Sequence, residues 1–185
     1  MKKIFILLVF FVLCILAFLL FFTTHTNSPV ISVQNVVPGK NVIPGKTTEQ
    51  EIISLLGKPD TIQVQNDNKI ISYKVPTTTR MDTMYIKDNK VTSFVKEISY
   101  DNTLLNDFTA THQKEDGVLY DSLQRGTGFT WHIFAKEGTA FLASDVNGYT
   151  LKVIYFSPMT YQNFLQTTAK TFSLSPVPLE DQEKF

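Results

Sequence analysis

Hydrophobic positions in the stretch 45–60 follow a helical period. Its apolar face is formed by Ile52, Ile53, Leu55 and Leu56. Thr48 precedes Glu51 by three residues, which is the spacing of a capping box. Gly57 can end a helix in a left-handed conformation, and Pro59 prevents the helix from continuing. The pattern therefore predicts one short helix with both ends encoded.

After Asp60 the hydrophobic period changes from helical to two. Residues that favour turns, Asn66 to Asn68 and Asp88 to Lys90, separate the alternating runs. The alternation predicts an antiparallel sheet in the first half of the chain. The predicted strands are Thr61–Gln65, Lys69–Val75, Asp82–Lys87 and Val91–Ser99.

The second half of the chain repeats this order. A helix near residues 103–113, with Thr103 able to cap it, precedes further alternating runs. Aligning Tyr73 with Trp131 separates the two halves by about 58–60 residues. A third helix follows Pro158. We predict strands at Gly117–Asp121, Phe129–Ile133, Thr139–Ser144 and Tyr149–Phe156.

The N-terminal run from Ile4 to Phe22 is entirely apolar. Its length is close to the ~20 residues that a membrane-spanning helix needs, and no small-residue cleavage site follows it. We therefore predict a signal anchor over residues 1–22, with a cleaved signal peptide as the alternative. Lys2 and Lys3 place the N-terminus in the cytoplasm and the domain outside the cytoplasmic membrane, as a single-pass protein.

The segments on either side of the predicted domains lack a hydrophobic period. Residues 23–44 are rich in Thr, Asn, Pro and Val and predict a flexible tether. Residues 173–185 contain two prolines and four charged side chains and predict a loose tail. The predicted domains are therefore a unit over 45–100 and a second, related unit over 103–172.

Composition and charge restrict the classes of function. Hydrophobic residues make up 43% of the chain and charged residues 18%, as in a globular protein. The 17 basic and 17 acidic side chains balance, which gives no electrostatic reason to expect a nucleic acid partner. Cys14 is the only cysteine, so the chain forms no intramolecular disulfide.

The predicted helix and the strands after it resemble the BamE-like (SmpA/OmlA) domain of bacterial envelope lipoproteins. The resemblance covers about residues 43–99 and rests on Gly45, Thr47 or Thr48, Glu51, Leu55, Leu56, Gly57, Pro59 and Tyr73. Two such units in tandem also resemble the layout of the β-lactamase inhibitor protein. The chain lacks the family's lipobox cysteine, so membership in the barrel-assembly machinery is not implied. The resemblance implies a non-enzymatic envelope domain that binds through a sheet or loop face.

Side chains that could perform catalysis are scattered along the sequence. No two of His25, His112 and His132 have metal-ligand spacing, and we expect His132 to face solvent opposite Trp131. The serines lack a Gly-x-Ser-x-Gly elbow. We therefore predict no catalytic, cofactor-binding or metal-binding residue, and no enzyme.

Aromatic side chains are concentrated in the second half. Most of them belong to the core of so small a domain. An antiparallel sheet covered by helices on one face leaves its other face open, and aromatics on that face would mark a partner surface. The candidate residues for this surface are Trp131, Phe134, Tyr149 and Tyr155.

Together these patterns predict an α+β fold, in which an N-terminal transmembrane helix is followed by helices packed on antiparallel sheet in two degenerate helix-plus-sheet repeats. The predicted function is that of a membrane-anchored, extracytoplasmic protein-interaction or scaffold domain of the bacterial cell envelope. The membrane, through residues 4–22, and a protein are its expected partners. Binding of a small ligand or a cell-wall glycan is the alternative, and a hydrolase with unrecognised residues is a third possibility.

Overall fold

A computed structural model gives the structure of this chain for seven stretches, all within one compact unit over 31–185. The described residues are 41–65, 67–76, 78–98, 103–112, 114–121, 128–172 and 174–176. Within them the backbone is dominated by one antiparallel sheet. Its strands are β1 (Thr61–Gln65), β2 (Asn68–Lys74), β3 (Met81–Lys87), β4 (Lys90–Glu97), β5 (Gly117–Asp121), β6 (Phe129–Phe134), β7 (Thr139–Ser144), β8 (Thr150–Phe156) and β9 (Leu174–Pro176).

The helices of the described residues are short, and the longest has eight residues. A 3-10 turn at Ala135–Glu137 joins β6 to β7. The α-helices are α1 (Glu49–Leu56), α2 (Leu105–Thr109), α3 (Tyr161–Gln166) and α4 (Thr168–Thr171).

The strand order is β1-β2-β3-β4-β8-β7-β6-β5-β9. A helix followed by four sequential strands therefore occurs twice, as α1 with β1 to β4 and as α2 with β5 to β8. The two four-stranded meanders meet where β4 pairs with β8, from Ser93 opposite Phe156 to Glu97 opposite Lys152. Since sequential antiparallel strands need only short turns, each meander is formed by local pairing, and the β4–β8 contact is the long-range step.

Two of the core clusters lie on the same face of the sheet. Ile71, Met84 and Phe94 are opposite one another in register and are fully buried beneath α1. Phe141 and Val153 pair on the same face, where Phe108 of α2 packs against them. We call this side of the sheet the α1 face.

The third core cluster lies on the opposite side, which we call the α3 face. Ile154 and Phe156 alternate with Tyr155 along β8, so they point away from α1. Phe164 of α3 and Ala169 of α4 are buried against this cluster. The helices therefore cover both faces of the sheet, each over a limited area.

The predicted fold class is wrong in its balance of helix and sheet. The structure is mostly one nine-stranded sheet with a few short helices, and no helix in the described part of the chain is long and apolar enough to cross a membrane. The predicted second helix near residues 103–113 is reduced to α2, which begins after Leu104 and lacks a side-chain cap from Thr103. Threonines and an aspartate interrupt this segment and favour its early end.

The predicted membrane anchor at residues 1–22 lies outside the described residues. Where the structure is described, it supplies no membrane-spanning helix. The predicted single-pass topology and the predicted location in the cytoplasmic membrane are therefore not supported.

The outer bounds of the predicted units also differ from the structure. Val42, predicted to belong to the 23–44 tether, is completely buried in the core beneath α1. Leu174 to Pro176, predicted to belong to the loose tail, form β9 and pair with β5. Both segments contain apolar residues that find a place in a core only through long-range packing, which their local pattern does not reveal.

Candidate functional site

A capping box fixes the start of α1. The Thr48 hydroxyl accepts from the Glu51 N–H at 3.3 Å, and the Glu51 carboxylate accepts from the Thr48 N–H at 2.7 Å. The bond from the Thr48 N–H lowers the pKa of the Glu51 carboxyl group, because it favours the charged form. The capping box expected from the sequence is therefore present. Thr48 also forms an antiparallel β-bridge with Lys90 at the start of β4, which holds the first turn of α1 against the sheet.

The other end of α1 delivers the chain into β1. Gly57 follows the helix with φ +80° and ψ −163°, a conformation open almost only to glycine, and not the left-handed helical one that we expected. The Tyr73 hydroxyl donates to the Gly57 carbonyl at 3.0 Å. Pro59 is buried beyond it. The hydrogen bond between Tyr73 and Gly57 therefore fixes the point at which the chain enters β1.

β1 is held to the sheet on one side. Its residues pair with β2 from Thr61 opposite Ser72 to Gln65 opposite Asn68. Just before the strand, the Asp60 carboxylate accepts from the Lys74 N–H at 2.7 Å, which fixes the register. No other strand of the described chain pairs with β1, so it forms one edge of the sheet.

The composition of β1 leaves this edge unprotected. All five residues are exposed, and none is charged or is a proline or glycine. Ile62 is 51% exposed and Val64 is 75% exposed. Natural edges are usually shielded by charges, prolines or short length, because their free backbone groups can pair with another chain. The opposite edge has such protection, since β9 has three residues and ends at Pro176.

The predicted partner surface does not form. Trp131 and Phe134 are each 3% exposed and belong to two different core clusters. Tyr155 packs against both clusters of the α1 face, and burial raises its pKa to about 12, with a further contribution from the charge of Asp82. Of the four residues, Tyr149 alone is substantially exposed, at 41%. The sheet therefore presents no platform made of these aromatics.

A groove of about 300 Å³ crosses the α3 face above β3, β4 and β8. Tyr85 and Phe172 meet edge to face at its side, with ring centroids 4.6 Å apart. Glu97 lies in the groove and is paired with Lys152 at 2.9 Å and with Arg80 at 3.4 Å. Its charge is therefore already compensated by the chain itself.

One buried carboxyl group lies on the opposite side of β3, on the α1 face. Asp82 is fully buried, and its Oδ1 accepts from the Glu97 N–H at 2.8 Å. Its Oδ2 has no hydrogen-bond partner among the described residues. Burial raises the pKa of Asp82 to about 6, although the Glu97 N–H and the charge of Lys96 oppose the shift. This group affects stability, because charging it inside the sheet is costly.

The two histidines in the described chain are occupied by structural contacts. His132 lies 3.0 Å from the Glu115 carboxylate and is partly buried. His112 bonds the Phe108 carbonyl at 2.6 Å and lies near Glu137 at 3.8 Å. Across the described ranges, no group of three or more His, Cys, Asp or Glu side chains could hold a metal ion. His25 lies outside those ranges.

The sequence predicts β1 as a strand, but it does not predict that β1 is an exposed edge and therefore a candidate binding site. The available signal was the run Thr-Ile-Gln-Val-Gln, which alternates and carries no charge. Only the sheet order, which depends on long-range pairing, shows that this strand is an edge.

The chain shows little similarity to known proteins. Neither a protein-family model nor a curated protein sequence matches the chain. Among solved structures, it is similar to a cysteine-rich secretory protein from Staphylococcus aureus, with 10% identity and a TM-score of 0.40. That match covers 76% of this chain and 54% of the other, and a likeness at this level supports no argument about fold or function. The resemblance to BamE-like domains therefore stays a prediction.

Proposed function

We propose that this chain is a non-catalytic protein-interaction domain that binds an extended segment of its partner along β1. The observation that carries the proposal is β1 itself, whose outer side pairs with no strand in the described part of the chain. It has five exposed residues without charge, proline or glycine, with two apolar side chains on one face.

Addition of a strand would use both the backbone and the side chains of β1. Alternate N–H and C=O groups of an edge strand point away from the sheet and give affinity when a new strand pairs with them. Ile62 is opposite the buried Ile71, so its side chain continues the apolar surface beneath α1. An added strand with apolar residues at alternate positions would extend that surface.

The test is site-specific photocrosslinking in the full chain, expressed in its own cells. A photoreactive benzophenone amino acid replaces Gln63, and adducts are identified by mass spectrometry. We expect an adduct whose yield falls at least about tenfold when Val64→Lys is added, because a charge on the edge opposes pairing.

The matched control is Val146→Lys, at a turn residue that is 88% exposed and distant from β1 in the sheet order. It should leave the yield unchanged. The proposal is wrong if position 63 gives no adduct above background, or if Val64→Lys and Val146→Lys alter the yield equally.

The groove on the α3 face supports a second candidate, binding of a small polar ligand or a glycan. Its lining combines Tyr85 and Phe172 with hydroxyl groups such as those of Thr83 and Thr171. The burial of Trp131 and Phe134 removes the aromatic platform on which a glycan would stack. Binding of soluble cell-wall fragments that is lost in Tyr85→Ala would favour this candidate over strand addition.

A further inference from the structure

We infer that the segment that pairs with β1 is β1 of a second copy of this chain. The inference rests on the proposed function and names the partner of the same edge. It follows from the order of side chains in the strand, from its lack of charge and from the asymmetry between the two edges of the sheet.

The sequence of β1 is compatible with antiparallel pairing to itself. If the two-fold axis of the dimer passes through Gln63, all five residues of one strand pair with the five of the other. In this register Ile62 lies opposite the partner's Val64. Directly opposite residues of an antiparallel pair point to the same face of the sheet. The apolar side chains of the two copies therefore meet each other, and the polar ones meet on the reverse side.

Self-pairing would remove exposed apolar surface without bringing like charges together. Val64 is 75% exposed and Ile62 is 51% exposed in the single chain. Both lie on the α1 face, where Ile71 is completely buried and Lys69, opposite Val64, is paired with Glu49. The partner's strand would therefore continue the core beneath α1, and no charged residue occurs within either strand.

The two edges of the sheet differ in a way that predicts a closed dimer. β1 has five uncharged residues, whereas β9 has three and ends at Pro176, which cannot donate to a new strand. Association through β1 alone is isologous and stops at two copies. A pair of five-residue strands is small for an interface, so the dimer should be weak and dependent on concentration.

The experiment uses cysteine crosslinking in the full chain, with the native cysteine removed by Cys14→Ser. Gln63→Cys places the two new thiols opposite each other at the two-fold axis, at a Cα separation that antiparallel pairing sets to ~4.5–5.5 Å and that suits a disulfide. Diamide is added as the oxidant, and dimers are counted by electrophoresis without reductant. We expect disulfide dimers to form at least about tenfold faster than with the control, Val146→Cys.

Adding Val64→Lys to Gln63→Cys should lower the rate of disulfide dimer formation to that of Val146→Cys. Circular dichroism should show an unchanged fold because Val64 is exposed. Equal rates for Gln63→Cys and Val146→Cys would overturn the inference. If the photocrosslinked adduct at position 63 is then a different protein, the inference fails while strand addition stands. If no protein of any kind is captured at that position, the proposed function fails with it.

Discussion

The hydroxyl of Tyr73 donates a hydrogen bond to the carbonyl of Gly57 at 3.0 Å. The tyrosine comes from β2 and is 5% exposed, and the glycine ends α1. This bond ties the end of the helix to the sheet at the point where the chain turns into β1. Burial raises the pKa of Tyr73 to about 12, so the hydroxyl keeps its proton at all physiological pH values.

Removing this hydroxyl should destabilise the domain. In Tyr73→Phe the ring stays in the core, but the Gly57 carbonyl loses its donor, at an expected cost of about 1–2 kcal/mol in the free energy of unfolding. Urea denaturation measures the loss. Tyr149→Phe, at an exposed tyrosine, is the matched control and should change stability by less than about 0.5 kcal/mol. Equal effects would show that the bond does not hold α1 to the sheet.

Gly57 should be required for its backbone conformation. Gly57→Val places a β-branched residue at φ +80°, which is strained whatever the space around it, so the cost should be ~1–2 kcal/mol or more. Lys58→Val introduces the same side chain at the next, exposed position and should cost much less. Identical melting temperatures for the two variants would mean that α1 does not end as described.

The helix α1 and the strand β1 show how much of the fold the local sequence determines. α1, its capping box and the bounds of β1 follow from short-range patterns, because capping, helical period and strand alternation involve residues that are close in sequence. The pairing of β4 with β8 joins strands nearly 60 residues apart, and it decides which strands are edges. The exposure of Trp131 and Phe134 likewise depends on where α2, α3 and α4 dock, so their burial could not be predicted from alternation.

The buried carboxyl group of Asp82 should make stability depend on pH. Its folded-state pKa of about 6 lies above the ordinary value of 3.8. The folded form therefore holds a proton that the unfolded chain releases, and its contribution to stability is complete below about pH 4 and is lost as the pH rises to about 6. Asp82→Asn removes this dependence.

We expect Asp82→Asn to narrow the difference in unfolding free energy between pH 4 and pH 7, by an amount on the order of 1–3 kcal/mol. Denaturation of the variant and the native chain at both pH values gives this difference directly. Asp88→Asn, at an exposed turn, should leave the native difference intact. A narrowing of equal size in both variants would contradict the assignment to Asp82.

The two meanders should unfold together. Ile154 of β8 is fully buried, and Val95 of β4 packs against the same cluster. Ile154→Ala should therefore lower the stability by about 2–5 kcal/mol and shift Trp131 fluorescence and far-ultraviolet circular dichroism to the same new midpoint. Val146→Ala should shift neither signal. Two separated transitions in the native chain would show independent domains.

The central claim is that the outward-facing backbone groups of β1 are completed by a strand from a second copy. Amide hydrogen exchange of the full chain at low and at high protein concentration tests it most directly. We predict that residues 61–65 exchange at least about tenfold more slowly at high concentration, while β9 and the groove on the α3 face do not change. Exchange in β1 at the same rate at both concentrations would contradict the claim.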